Sequence, residues 1–106
     1  MLTLASASRI LLYPGPTDMR LGIWSLSSRC GELRDGELHV FCSKDRRTVK
    51  IVLAERGSTW LLQKRLASGR FSWPGSGPVS KVCLLQLQAV LDSPQTIAEI
   101  EGWGKP

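Results

Sequence analysis

The clearest pattern in the chain is a pair of apolar segments on either side of a short polar turn. Residues 48–54 and 59–66 are rich in β-branched and large apolar side chains, which favour strands. A two-residue turn between them sets Ile51 opposite Leu62, so that apolar side chains share one face of a hairpin. The opposite face then carries polar side chains and is predicted to be half solvated, with Lys50 opposite Gln63 and Thr48 opposite Arg65.

Helical spacing appears before and after this hairpin. Residues 9–13 predict a short strand that ends at a Pro-Gly-Pro turn, and Thr17 is a good N-cap for a helix over 17–31. Gly22 lies inside that helix, where glycine costs about 1 kcal/mol relative to alanine, which predicts a close neighbour. A second amphipathic helix is predicted over 84–91.

These elements predict one α+β domain over residues 1–106, with loosely ordered ends at 1–8 and 93–106. The sheet is predicted to be small and antiparallel, a meander or hairpin arrangement of three to five strands, beside the two main helices. The two periodicities together predict a single core, made of Met19, Ile23, Leu26, Ile51, Leu53, Trp60 and Leu62.

Charge is concentrated in the same part of the chain. The net charge is +5, and residues 44–70 hold eight basic side chains against two acidic ones. Such a segment favours an acidic partner, above all nucleic acid, although a merely solvated basic face is an open alternative. The candidate nucleic-acid-binding residues are Arg46, Arg47, Lys50, Arg65 and Arg70.

The residue types that enzymes need are sparse. His39 is the one histidine and lies in a strand pattern, where a structural role is the simpler interpretation. The three cysteines form no metal-binding pair, and no phosphate-binding glycine motif occurs, so we expect no metal, no cofactor and no enzymatic activity. No apolar run is long enough to cross a membrane, and the absence of a signal-peptide pattern favours the cytoplasm.

Several short motifs occur in an order that resembles a known family. They are Thr17-Asp18-Met19-Arg20-x-Gly22, Leu38-x-Val40-Phe41, Lys50, Lys64-Arg65-Leu66, Gly69-Arg70-Phe71-x-Trp73-Pro74, Gln86-Leu87 and Leu91. The pattern resembles the Orf2 (TnpB) accessory protein of insertion sequences of the IS66 family, over about residues 9–92. The family-motif residues of most interest are Asp18, Arg20, Gly22, Lys64, Gly69, Phe71, Trp73 and Pro74.

The resemblance implies a non-catalytic accessory protein of bacterial DNA transposition that works beside a separate transposase. With the basic hairpin face, it leads us to expect binding to DNA or to a DNA–transposase complex. The alternative is a protein-only adaptor that holds the transposase without contacting DNA.

Overall fold

The structure is a computed structural model that describes Ala7 and residues 9–92. The predicted loose ends at 1–8 and 93–106 therefore lie almost entirely outside the described residues. The described elements, in chain order, are β1 (Arg9–Pro16), α1 (Ile23–Arg29), β2 (Glu37–Cys42), β3 (Thr48–Glu55), β4 (Ser58–Arg65), β5 (Ser80–Val82) and α2 (Leu84–Asp92). Neither α1 nor α2 has the length and apolar character that a membrane crossing requires.

The five strands form one sheet in the order β4-β3-β2-β1-β5, which confirms the α+β class. The prediction of an antiparallel sheet is wrong for one pair, because β1 and β2 run parallel, with Arg9 opposite Glu37 and Leu12 opposite Val40. Parallel neighbours need a long crossover connection, and residues 17–36, which contain α1, supply it. The other pairs are antiparallel, so the sheet is mixed.

The predicted hairpin register is confirmed. Ile51 lies opposite Leu62, and Thr48 lies opposite Arg65. The turn residues Arg56 and Gly57 both have positive φ angles, 45° and 79°, as a type I′ turn requires. This turn matches the right-handed twist of the strands, although arginine adopts positive φ less readily than asparagine or glycine.

The single predicted core is wrong, because the sheet buries apolar side chains on both of its faces. One face carries Ile51 and Leu53, and it is covered by Phe71, Trp73 and Leu87 of α2. The other face, predicted to be half solvated, is covered by α1. A separate cluster forms there from Leu26, Phe41 and Val52. The prediction that Trp60 belongs to the core is also wrong, because Trp60 lies on the edge strand β4 and is 45% exposed.

Helix α1 begins at Ile23, six residues later than Thr17, the predicted N-cap. The N–H of Thr17 donates to Cys42 O at 2.8 Å, so Thr17 extends the sheet. Gly22 is the N-cap residue, and an added Cβ there would meet nothing within 4 Å. The expectation of a close neighbour at Gly22 is therefore wrong.

A buried lysine holds the segment between Thr17 and α1 in its non-helical shape. Lys50 is only 8% exposed, and its ammonium donates to Met19 O at 2.8 Å and to Leu21 O at 3.1 Å. In a helix, the carbonyl oxygens of Met19 and Leu21 would accept from backbone N–H groups one turn later. Here the Lys50 ammonium supplies the donor instead, so α1 can begin after this segment.

Ile51→Ala should lower the free energy of unfolding by about 2–5 kcal/mol, because it removes a large side chain that is buried in the core cluster. Leu85→Ala on the exposed side of α2 is the control, and its effect should stay within about 0.5 kcal/mol. Urea unfolding measures both variants. Equal effects would contradict the assignment of the core.

Lys50→Met should keep the buried stem and lose the ammonium. Two carbonyl oxygens then lose their donor, which should cost about 1–3 kcal/mol of stability. Lys44→Met, at an exposed turn position, removes the same charge without losing an internal bond. If urea unfolding shows the two variants to be equally stable, Lys50 does not hold this segment.

Candidate nucleic-acid interface

An open groove of about 960 Å³ lies at the end of the sheet where β1 and β2 end and β3 begins. Four parts of the chain meet there: the segment after β1, the loop between β2 and β3, the last turn of α1, and the residues at and beyond the end of β4. The lining residues are Pro16, Thr17, Asp18, Met19, Arg29, Ser43, Lys44, Asp45, Thr48, Arg65 and Arg70. The carboxyl ends of parallel strands are the usual place for ligands in open sheets with crossover helices.

Four basic side chains of the described part of the chain line the groove, those of Arg29, Lys44, Arg65 and Arg70. They come from different elements, so only the folded chain brings them to one surface. The Nη1 of Arg65 donates to Thr48 Oγ1 at 2.9 Å, which fixes the direction of its guanidinium across the hairpin. The Nε of Arg70 is buried and has no hydrogen-bond partner among the described residues.

Both carboxylates of the groove are already engaged within the protein. Asp18 accepts from Arg20 at two oxygens, with Nε–Oδ1 at 3.0 Å and Nη2–Oδ2 at 2.7 Å. Asp45 accepts from Ser43 Oγ at 2.6 Å and from the N–H of Arg47 at 3.1 Å, which shapes the loop. The bonds hold both carboxylates in place, and the four basic side chains outnumber them, so the described lining of the groove is net positive.

The pKa values agree with this electrostatic picture. Hydrogen bonds from Arg20 lower the pKa of Asp18 to about 2. The hydrogen bond from Ser43 lowers the pKa of Asp45 below its ordinary value. Both carboxylates are therefore ionised near neutral pH, and their oxygens accept hydrogen bonds from within the protein.

The five candidate binding residues fall into three groups. Arg65 and Arg70 line the groove. Arg46 and Arg47 are half-buried in the adjoining loop, and Arg46 lines a smaller cavity of about 280 Å³ beside Lys44. Lys50 lies outside both cavities, with its ammonium on the backbone carbonyls described above.

Sequence reasoning missed Arg29 and Lys44 as members of this surface. Lys44 belongs to the same basic loop as Arg46, and the charge count of that loop is a signal that could have included it. Arg29 stands far from the loop in the sequence. Only the packing of α1 on the sheet brings it to the groove, so no local pattern could have found it.

The most specific motif of the sequence, residues 69–74, anchors the segment that carries Arg70. Phe71 and Trp73 are buried in the core. The indole Nε1 of Trp73 donates to Tyr13 O at 2.9 Å, and Pro74 O accepts from the N–H of Gly15 at 2.9 Å. Side chains alternate along an extended segment, so the anchoring of Phe71 directs its neighbour Arg70 away from the core.

Other family-motif residues also serve the framework. Gly69 has a φ angle of 73°, which glycine adopts without strain and which turns the chain into the buried segment. Lys64 donates to Leu91 O at 2.6 Å, at the end of α2. Of these motif residues, Asp18 lines the groove, where it pairs with Arg20, and Gly22 is the N-cap of α1.

A second polar cluster is enclosed inside the fold. The hydroxyl of Tyr13 lies 2.8 Å from His39 Nδ1, and Glu37 lies 3.4 Å from Nε2 of the same ring and 2.6 Å from Arg9. His39 is 1% exposed, and burial lowers its pKa despite the nearby carboxylate. Burial also raises the pKa of Tyr13 to about 12, so its hydroxyl stays neutral beside the ring. The closed position of His39 supports the structural role inferred from the sequence.

The described residues contain no group of three or more histidine, cysteine, aspartate or glutamate side chains placed to hold a metal ion. What the described lining of the groove offers a ligand is the hydrogen-bond donors of its basic side chains. A guanidinium or ammonium group in an open, solvent-accessible groove binds anions, and phosphate is the common biological one.

Comparison with known proteins agrees with the resemblance noted in the sequence. A model of the family described as IS66 Orf2 like protein matches residues 8–98. The uncharacterized protein y4hO of Sinorhizobium fredii (strain NBRC 101917 / NGR234) is 36% identical over 73 residues, which cover 64% of each chain. The match thus spans just under two thirds of that relative's length. No solved structure matches the chain. Since the family model covers most of the chain, this protein belongs to the IS66 Orf2-like family.

Proposed function

We propose that this protein is a non-catalytic accessory factor of DNA transposition that binds DNA phosphates in the basic groove. Family membership associates the chain with transposition. The observation that supports DNA contact is the convergence of Arg29, Lys44, Arg65 and Arg70 on one open surface. In this proposal the protein works in the cytoplasm beside the transposase of the same element.

The lining of the groove favours contact with the DNA backbone over the reading of bases. Among the described residues, no aromatic side chain lines the groove, so this part of the chain offers no platform on which a base could stack. Guanidinium groups match the geometry of phosphate oxygens and bind them in pairs. Contacts to phosphate position a protein on DNA but carry no sequence information directly. We therefore propose that the groove itself binds DNA with little sequence preference.

The non-catalytic part of the proposal rests on the state of the acidic groups. Nucleases and transposases that use two metal ions need several carboxylates that converge on one point. Asp18 and Asp45 are instead held by Arg20 and by the loop around Ser43. His39 is enclosed between Tyr13 and Glu37, away from any substrate.

A protein-only adaptor is the second candidate, and one observation favours it. Trp24 on α1 is 78% exposed, although tryptophan is costly to leave in water and is enriched at protein interfaces. This side chain could contact the transposase. The two candidates are compatible in one molecule, since Trp24 does not line the groove.

The groove proposal predicts a specific salt dependence of DNA binding. The double variant Arg29→Ala and Arg65→Ala removes two cations that only the fold brings together. The slope of log affinity against log salt on duplex DNA should become shallower by about 2 units, since each phosphate contact contributes about 0.9. Fluorescence anisotropy at a series of KCl concentrations measures this slope.

The double variant Arg34→Ala and Arg56→Ala is the matched control. Both arginines are exposed, and they lie at the opposite end of the sheet, before β2 and in the hairpin turn. This variant loses the same charge and should keep the slope within about 0.5 units. Equal slopes for the two double variants would contradict binding in the groove. Absence of any DNA binding at low salt, with capture of the transposase after nuclease treatment, would favour the adaptor.

The isolated protein should neither cut nor join supercoiled plasmid DNA in magnesium or manganese, because its groove carboxylates are engaged in internal bonds. Gel analysis of the plasmid after incubation checks this expectation. Asp18→Asn and Asp45→Asn serve as controls for trace nuclease, since a contaminant would be unaffected by them. Cleavage that disappears in either variant would contradict a non-catalytic function.

A further inference from the structure

Strand β4 is a long edge of the sheet, eight residues from Ser58 to Arg65, whereas the other edge, β5, has only three. The two-residue type I′ turn makes Glu55 and Ser58 a hydrogen-bonded pair. Along an antiparallel ladder, hydrogen-bonded pairs alternate with non-hydrogen-bonded pairs, whose N–H and C=O groups point away from the partner strand. The backbone N–H and C=O groups that point away from β3 are therefore those of Thr59, Leu61, Gln63 and Arg65.

These outward groups meet no other strand in the described part of the chain. Soluble proteins usually protect such an edge with charged side chains, especially lysine. In β4 the charges are confined to the last two residues, Lys64 and Arg65, and the six residues before them are uncharged. Most of the edge is thus open to pairing with another strand.

We infer that β4 pairs antiparallel with β4 of a second copy of this chain, about a two-fold axis at Leu62. This register pairs all four outward residues: Thr59 with Arg65 of the other copy and Leu61 with Gln63. It sets Leu62 opposite its own counterpart. A two-fold axis at Leu61 or Gln63 would leave one outward residue unpaired.

The charge pattern of β4 is complementary to itself in this arrangement. Each basic end lies against an uncharged end, with Lys64 opposite Trp60 and Arg65 opposite Thr59. A parallel arrangement in register would instead set Lys64 beside Lys64 and Arg65 beside Arg65, which is repulsive. Pairing also covers Trp60, which is 45% exposed in the single chain. These features make a second copy of the same strand the fitting partner.

Such a dimer has a geometric consequence for the groove. Leu62 and its counterpart project from the same face, so the two-fold axis is perpendicular to the sheet. This axis sets the two grooves at opposite ends of the paired strands. The two Arg65 positions are six residues apart along the strand, about 20 Å at the usual rise. Two phosphate-binding surfaces in one dimer would act together on DNA. The pairing of β4 is itself independent of the proposed function and needs no DNA for its test.

Disulfide trapping tests the register. Leu62→Cys in a Cys83→Ser background places two thiols in a non-hydrogen-bonded cross-strand pair, with Cβ atoms about 4.5–5.5 Å apart. Mild oxidation should convert most of this variant to a covalent dimer. Gln63→Cys in the same background is the control, because Gln63 is more exposed than Leu62 but lies two positions from its own counterpart. Cross-linking of Gln63→Cys equal to or above that of Leu62→Cys would overturn the inference.

Light scattering over a concentration series supplies the second measurement. The wild-type chain should show a dimer mass that falls towards the monomer on dilution. Thr59→Arg should weaken the dimer several-fold, and Thr59→Glu should strengthen it several-fold, since each faces Arg65 of the other copy. Circular dichroism checks that both variants keep the sheet. A monomer mass at every soluble concentration, or equal shifts in both variants, would overturn the inference.

Discussion

The structure depends on the burial of β3 on both of its faces. Seven of its eight residues are buried, and alternation sends Ile51 and Leu53 to one side and Val52 to the other. Both sides therefore need a cover. The segment of Phe71 and Trp73 supplies one with α2, and α1 supplies the other.

The topology supplies one of these covers. Strands β1 and β2 run parallel, parallel neighbours need a crossover connection, and α1 lies in that connection. The ends of these strands then meet the loop of Ser43 to Thr48 at one end of the sheet. The groove is formed there, with its cations drawn from separate parts of the chain.

Lys50 illustrates why a charge pattern is an incomplete guide to a binding surface. It belongs to the most basic segment of the sequence, yet its ammonium binds two backbone carbonyls beneath the segment that leads into α1. A buried cation is stable only when hydrogen-bond acceptors surround it, and the bonds from Lys50 to its acceptors tie β3 to the segment before α1. The motif around Phe71 and Trp73 has a similar character. Its aromatic residues are buried in the core, and the motif places Arg70 at the groove.

The sequence by itself determined the strands of the hairpin, the residues that pair across it, the α+β class and the family. The hairpin register is a local property, since a two-residue turn and a side-chain period of two set it without reference to the rest of the chain. Tertiary structure decided the parallel pairing of β1 with β2, the face that α1 covers and the exposure of Trp60. It also decided which cations share the groove: Arg29 joins Arg65 and Arg70 there, whereas Lys50 does not. The physical reason is that these features depend on contacts between residues far apart in the chain. The periodicity of a segment indicates which of its faces is apolar, but it does not indicate which other segment packs against that face.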